Sequence, residues 1–236
     1  MKKELWLTSC GLVPYEKALG WQKTMVDQKM HIDMPDVVLF LEHPPVITIG
    51  KNGDPSHVLI GAQQCREKGL SVFPISRGGD VTFHGPGQVV GYPLVNLQNF
   101  DKSIRSFVTD LEQVFISLLQ NTYCLPAKRI PGYTGVWVHD NKITAMGLSV
   151  HKYITMHGFA FNVSTDLQYF SLITPCGITD KGVTSLVAET GQDISTETCI
   201  QQIGDEMGNR YHKEIVWKSC NEVLQTFQIP IEKDET

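Results

Sequence analysis

The stretch TGVWVHDNKITAMGLSV, Thr134 to Val150, decides the fold class. Two runs rich in β-branched and aromatic residues flank the polar trio His139-Asp140-Asn141, which reads as a hairpin turn. The same habit recurs along the chain. DVVLFLE (36–42) and VITIG (46–50) are strands separated only by HPP, and SVFPI (71–75), QVVGYPLVNL (88–97) and HGFAFNV (157–163) are further extended runs. Helices lie between them. After Pro14, residues Tyr15, Ala18, Leu19, Gln22, Met25 and Val26 recur at helical spacing. GAQQCREKG is a short helix ended by Gly69. Asp101 is placed to cap a long helix whose apolar stripe is Ile104, Phe107, Val108, Leu111, Val114, Phe115 and Leu118. A last clear helix starts from a Ser195 cap, and the tail from Ile215 fits neither pattern. Strands in adjacent pairs, without strict βαβ alternation, predict an α/β (α+β) fold with a mixed, largely antiparallel sheet flanked by helices.

With 236 residues and no internal repeat or linker-like run, the chain is expected to be a single domain, 1–236. Its hydrophobic fraction of 42% and mean hydropathy of −0.11 are those of a globular protein with a sizeable core. A net charge of −5 and a pI near 5.9 argue against nucleic acid as the main partner, leaving only a local basic patch at Lys128 and Arg129. No apolar run approaches the ~20 residues that cross a bilayer, and the start of the chain does not read as a signal or transit peptide. A cytoplasmic protein is expected, with no membrane partner. Cys10, Cys65, Cys124, Cys176, Cys199 and Cys220 are far apart and lack zinc-site spacing, so no metal is expected. In a reducing compartment they should be free thiols, most of them behaving as small buried hydrophobes.

The stretch RGGDVTFHGPGQ (77–88) is the first that asks for a function. Four glycines in twelve residues are costly to order. The spacing matches neither a P-loop nor a dinucleotide fingerprint. A bare turn would account for the glycines. The company of Arg77, Thr82, His84 and Gln88 favours a backbone that holds a polar or acyl-carbonyl group. His84 alone, like His157 in MHGFAFN, is as well read as a structural histidine.

Cys176 stands apart from the other cysteines, lying between Pro175 and Gly177 in LITPCGITDKG, a segment that cannot be a helix interior. Access is what a nucleophile needs. A free thiol has a pKa of ~8.5, so little thiolate is present at neutral pH. Lowering it by about two units needs roughly 2.7 kcal/mol of preferential stabilisation. One ammonium in a partly dry pocket supplies energy of that order. Lys142 closes the hairpin tip, where a surface lysine is the plainer reading, and the spacing alone does not bring it to Cys176.

Taken together, RGGDVTFHGPGQVVGYP, LEHPPVITIGK, TGVWV, NKITAMG, HGFAFNV and PCGITDKGVTSL resemble, in order and spacing, the octanoyl-acyl-carrier-protein:protein N-octanoyltransferases. The resemblance covers most of the chain. It implies a fold similar to the catalytic domain of biotin and lipoate protein ligases. It also implies a catalytic pair, Cys176 as acyl-thioester nucleophile and Lys142 as its partner. Substrate-contacting positions fall on Arg77, Gly78, Gly79, Asp80, Val81, Thr82, Phe83 and His84, on Ala145, Met146 and Gly147, and on Gly158, Phe159 and Ala160. Lys51 stands where the family more often has Arg, and Met146 where it has a branched aliphatic. The implied donor is octanoyl-acyl carrier protein. The implied acceptors are lysines of lipoyl domains of 2-oxoacid dehydrogenases and of the glycine-cleavage H protein, with no cofactor. On this reading the glycine loop walls an apolar acyl tunnel, and Lys128 and Arg129 are candidates for a positive rim. The alternatives are an ATP-dependent ligase on the same fold, a Cys/His hydrolase using His84 or His157, and an acyl-binding module without turnover.

Overall fold

In the computed structural model, residues 3–174 and 181–231 are described. Strand β1 (Glu4–Leu12) leads into helix α1 (Tyr15–His31), which begins directly after Pro14. Then follow β2 (Val37–Glu42), β3 (Val46–Ile49), α2 (Ala62–Glu67), β4 (Ser71–Pro74), β5 (Val81–His84) and β6 (Gln88–Leu94). Helix α3 (Ile104–Asn121) precedes β7 (Ala127–Ile130), β8 (Tyr133–Val138), β9 (Asn141–His151) and β10 (Ile154–Asn162). The chain closes with β11 (Gly182–Val183), α4 (Leu186–Thr190), α5 (Thr196–Tyr211), β12 (Glu214–Trp217) and α6 (Cys220–Thr226).

The main sheet runs β12-β1-β2-β6-β10-β9-β8-β7, with β11 added beside β9. Pairings β12–β1, β1–β2 and β9–β11 are parallel, and the remainder are antiparallel. This is the mixed, largely antiparallel sheet expected. Every residue of β6 and β10 is buried, because both faces of the sheet are covered. On one face α3 and α5 pack over Phe40, Phe159 and Phe161; on the other α1 and α6 pack over Leu39, Val90 and Ala160. A three-stranded sheet, β4-β3-β5, closes a third cluster around Ile47, Val81 and Phe83.

Two local expectations change. Asp101 does not cap α3: it sits in the left-handed region (φ 51°) at the end of a preceding single turn. Ser103 takes the cap, its Oγ accepting from the Ser106 N–H. Its stripe is buried at Phe107, Leu111, Val114, Phe115 and Leu118, whereas Ile104 is 39% exposed and Val108 half-buried. The cysteines are not all free thiols either. Cys10 and Cys220 form a disulfide between β1 and the start of α6, with Cα atoms 5.2 Å apart. Nothing local foretells that pair, because 210 residues separate its members and only the sheet brings them together. Cys65 and Cys199 are buried free thiols, and Cys124 is an exposed one.

Candidate active site

Residues 77–79 connect β4 to β5 and are held from behind. The Arg77 guanidinium is buried, donating from Nη2 to the Thr48 carbonyl (2.9 Å) and hydroxyl (2.9 Å) and from Nη1 to the Gly78 carbonyl (3.0 Å). Asp80 accepts from the Asp54 N–H and pairs with His57 Nδ1 at 2.6 Å. Gly79 has a φ of +87°, which requires glycine. The loop is therefore anchored to the 48–57 segment, whose Lys51 and Gly50 N–H groups also donate to the Arg77 and Asp80 carbonyls (3.0 Å each), while the Gly78 carbonyl faces Gly147.

Across from it lie β9 and β10, in the register Ala145↔Ala160, Met146↔Phe159 and Gly147↔Gly158. A Cβ on Gly147 would stand 2.8 Å from the Gly78 carbonyl oxygen, so glycine here is a condition of close approach. The walls enclose a cavity of about 660 Å³. Of the expected substrate positions, Arg77 to Thr82, His84, Ala145 to Gly147 and Gly158 to Ala160 all line it. Phe83 does not: its ring turns away and stacks on Tyr169 at 4.6 Å.

The cavity is not uniformly apolar, as the tunnel was expected to be. Val90, Val108, Met146, Leu148, Phe159 and Phe170 share the wall with Tyr15, His84, Gln88, Tyr92, His157 and Asn162. These polar groups stay neutral. Burial lowers the pKa of His43, behind the wall, to about 4 and that of His157 to about 4. Burial and the neighbouring His43 lower His84 to about 3, and burial raises the Tyr15 hydroxyl to about 12. His43 Nδ1 donates to the Val13 carbonyl (2.6 Å), so its Nε2 accepts from the Tyr92 hydroxyl (2.8 Å). His157 lies in the left-handed region (φ 61°), its backbone N–H held by Gln22 Oε1. Imidazoles so weakly basic are poor proton acceptors, which weakens the hydrolase alternative.

Lys142 also lines the cavity. It leaves β9 beside the Trp137 indole, with Nζ 4.8 Å from the ring centroid, a cation–π distance. An adjoining hollow of about 240 Å³ shares Lys142, Phe170 and Val183 with the main cavity and adds Trp137, Leu167, Lys181 and Gly182. Strand β11 runs parallel to the Lys142 backbone, pairing Gly182 with Asn141 and Val183 with Lys142. Cys176, the expected nucleophile, lies outside the described residues.

The rim differs from expectation. Arg129 is taken up by Glu112 (2.8 Å), Gln113 and the Thr109 carbonyl, tying β7 to α3, and Lys128 is exposed on β7 without lining the cavity. Arg105 does line it, beside Arg77 and Lys142, with Ile104, Val108, Thr109 and Glu112 of the same helix. Ile104 and Val108, expected in the buried stripe of α3, instead turn to the cavity. Tyr15, Val90 and Tyr92 carried no signal, since their places depend on distant strands. Among the described residues no cluster of potential metal ligands occurs, and no helix is long and apolar enough to cross a membrane.

Residues 14–208 match the lipoyl protein ligase A/B catalytic domain family. An octanoyltransferase of Caldicellulosiruptor saccharolyticus is 42% identical over 225 residues, which cover 95% of this chain and 96% of that one. Among solved structures, Plasmodium falciparum LipL1 in complex with lipoate superposes with a TM-score of 0.75 at 15% identity, over 96% of this chain and 68% of its own. A bipartite lipoate protein ligase of Thermoplasma acidophilum, described with its E2 lipoyl domain, gives 0.72 at 14% identity over 96% and 90%. At such identities the structural likeness is one of fold.

Proposed function

Because the chain belongs to the octanoyltransferases of the lipoyl protein ligase A/B catalytic domain family, and so transfers octanoyl groups in lipoate biosynthesis, we propose that it does so in two steps through a thioester on Cys176. In the first, the Cys176 thiolate attacks the carbonyl carbon of octanoyl-acyl carrier protein. The carbon–sulfur bond to the carrier breaks, and the departing thiolate takes a proton from the Lys142 ammonium. In the second, the ε-amine of an acceptor lysine attacks the new thioester and loses a proton to Lys142. The bond to Cys176 breaks, leaving the amide, the thiolate and the restored ammonium. Protons balance over the cycle, and the downhill passage from thioester to amide needs no nucleotide.

The observation that carries this reading is Lys142 itself. It faces the cavity formed by the signature residues 77–84, 145–147 and 158–160, with the strand that follows PCGITD paired along its backbone. The residues assigned to the acyl group are those same positions, except Phe83, whose ring backs the wall by packing edge-on against Phe170 at 5.6 Å. The acceptors are lysines of lipoyl domains or of the glycine-cleavage H protein, consistent with a structural neighbour described with an E2 lipoyl domain. The whole of 1–236 is taken as one catalytic unit, working in the cytoplasm.

The test is intact-protein mass spectrometry after mixing with octanoyl-acyl carrier protein in the absence of ATP. A hydroxylamine-labile octanoyl adduct on Cys176, chased to amide by a lipoyl domain, is the expected result. Transfer that appears only when ATP is supplied, with no adduct, would return the chain to the ligase mechanism.

A further inference from the structure

A line of buried polar side chains runs beside the cavity from His84 to the backbone of Lys142. His84, Gln88, Asn162 and Thr184 are each more than nine-tenths buried. Buried amides are costly unless hydrogen-bonded, and these are bonded in one direction. Gln88 Nε2 donates to the Phe83 carbonyl (3.2 Å) and to Asn162 Oδ1 (2.8 Å). Gln88 Oε1 is thereby left to accept from His84 Nδ1 (2.8 Å). Asn162 Nδ2 donates to the Thr184 carbonyl (3.0 Å). The Thr184 N–H donates in turn to the Lys142 carbonyl (3.0 Å).

The last two links matter most. Strand β11 is two residues long and, among the described residues, pairs only with β9, so its own ladder is a weak hold. Asn162 supplies a bond into that segment from β10, a central strand buried along its whole length. Apolar side chains of similar volume would fill the same space without needing partners, so the amides serve something other than packing. We infer that Gln88 and Asn162 are positioning residues for octanoyl transfer: through the Thr184 carbonyl they hold β11 in register on the Lys142 backbone and so fix where the Lys142 ammonium stands in the cavity. This rests on the role given to Lys142 above.

The experiment uses the full chain carrying Asn162→Leu, which keeps an uncharged side chain and removes the donor to Thr184. Hydrogen–deuterium exchange of the peptide covering 181–186 should quicken at least about tenfold as the β11 ladder opens more often. The kcat for transfer should fall about 10- to 100-fold, the penalty of a misplaced catalytic group, with a smaller change in KM. The pH midpoint for alkylation of Cys176 should move upward, in the same direction as in Lys142→Ala. The double variant Asn162→Leu/Lys142→Ala should be no slower than Lys142→Ala alone, because both act through one ammonium. Gln88→Leu, one link further back, should give smaller changes of the same kind, and it carries the comparison if Asn162→Leu does not fold.

Wild-type exchange over 181–186 overturns the inference. So does a wild-type kcat and alkylation profile in a folded variant, or losses that multiply with those of Lys142→Ala. An unchanged alkylation profile in Lys142→Ala would instead remove Lys142 from its role; the hold on β11 is then decided by exchange alone, and wild-type exchange sinks it.

Discussion

Gly147→Ala tests the close passage of β9 beneath the glycine loop. The added Cβ would lie 2.8 Å from the Gly78 carbonyl oxygen and 3.3 Å from Arg77 Cδ. Ordinary contact begins at 3.4 Å, so the carbonyl must retreat by about 0.6 Å. It cannot swing aside as a side-chain tip would, because it accepts from Arg77 Nη1 and that guanidinium is bound to Thr48. Overpacking of this kind costs about 1–3 kcal/mol. For a chain of this size that is a fall in Tm of roughly 2–12 °C. The loop forms one wall of the cavity, and a shift approaching 1 Å lowers kcat/KM by up to about 100-fold. Thermal unfolding and steady-state octanoyl transfer measure the two effects. Gly78→Ala is the comparison for stability: its Cβ meets only the Leu148 oxygen, at 3.4 Å, and its backbone lies outside the left-handed region. Its Tm should stay within about 2 °C of wild type. Wild-type stability and kcat/KM in Gly147→Ala, or equal destabilisation by Gly78→Ala, would refute the reasoning.

The buried imidazoles make stability depend on pH. Unfolded histidine takes up a proton near 6.5, whereas folded His43 and His157 do so near 4 and His84 near 3. The unfolded chain binds more protons in between, so stability is complete above about pH 6.5 and falls as pH drops toward 4. A Tm that stays flat from pH 7 to 4.5 contradicts this. The Cys10–Cys220 disulfide closes a span of 210 residues. By loop-closure entropy its reduction should cost up to about 5 kcal/mol. Dithiol should therefore lower Tm in the wild type but not in Cys10→Ser, and alkylation of both thiols without reductant would rule the bridge out. Lys142→Ala should lower kcat for transfer by about 100- to 10,000-fold and raise the alkylation midpoint of Cys176 by about two pH units; unchanged alkylation kinetics would free Lys142 of its role.

How far the sequence reached depends on how far each signal travels along the chain. The 134–150 hairpin was legible because its turn and both strands are contiguous, and Ser195 was readable as a cap because its partner, the Thr198 N–H, lies three residues on. Asp101 misled because Ser103 competes for the same cap only two positions away, and backbone geometry decides between them. The glycine loop announced close approach through composition. Which surface it approaches, Gly147 and Leu148, was not in the loop itself.

The amino-acid order alone determined the class of sheet, the main helices and the motif set that marks an octanoyltransferase, since periodicity, caps and contiguous motifs act over a few residues. Only the folded chain decided that β1 joins β12, that Cys10 meets Cys220, and that Arg105 lines the cavity while Arg129 holds Glu112. The tertiary structure likewise made the cavity partly polar and joined Asn162 to the strand beside Lys142. Each of these depends on contacts between distant segments, and burial and hydrogen bonding there follow from packing that no local pattern encodes.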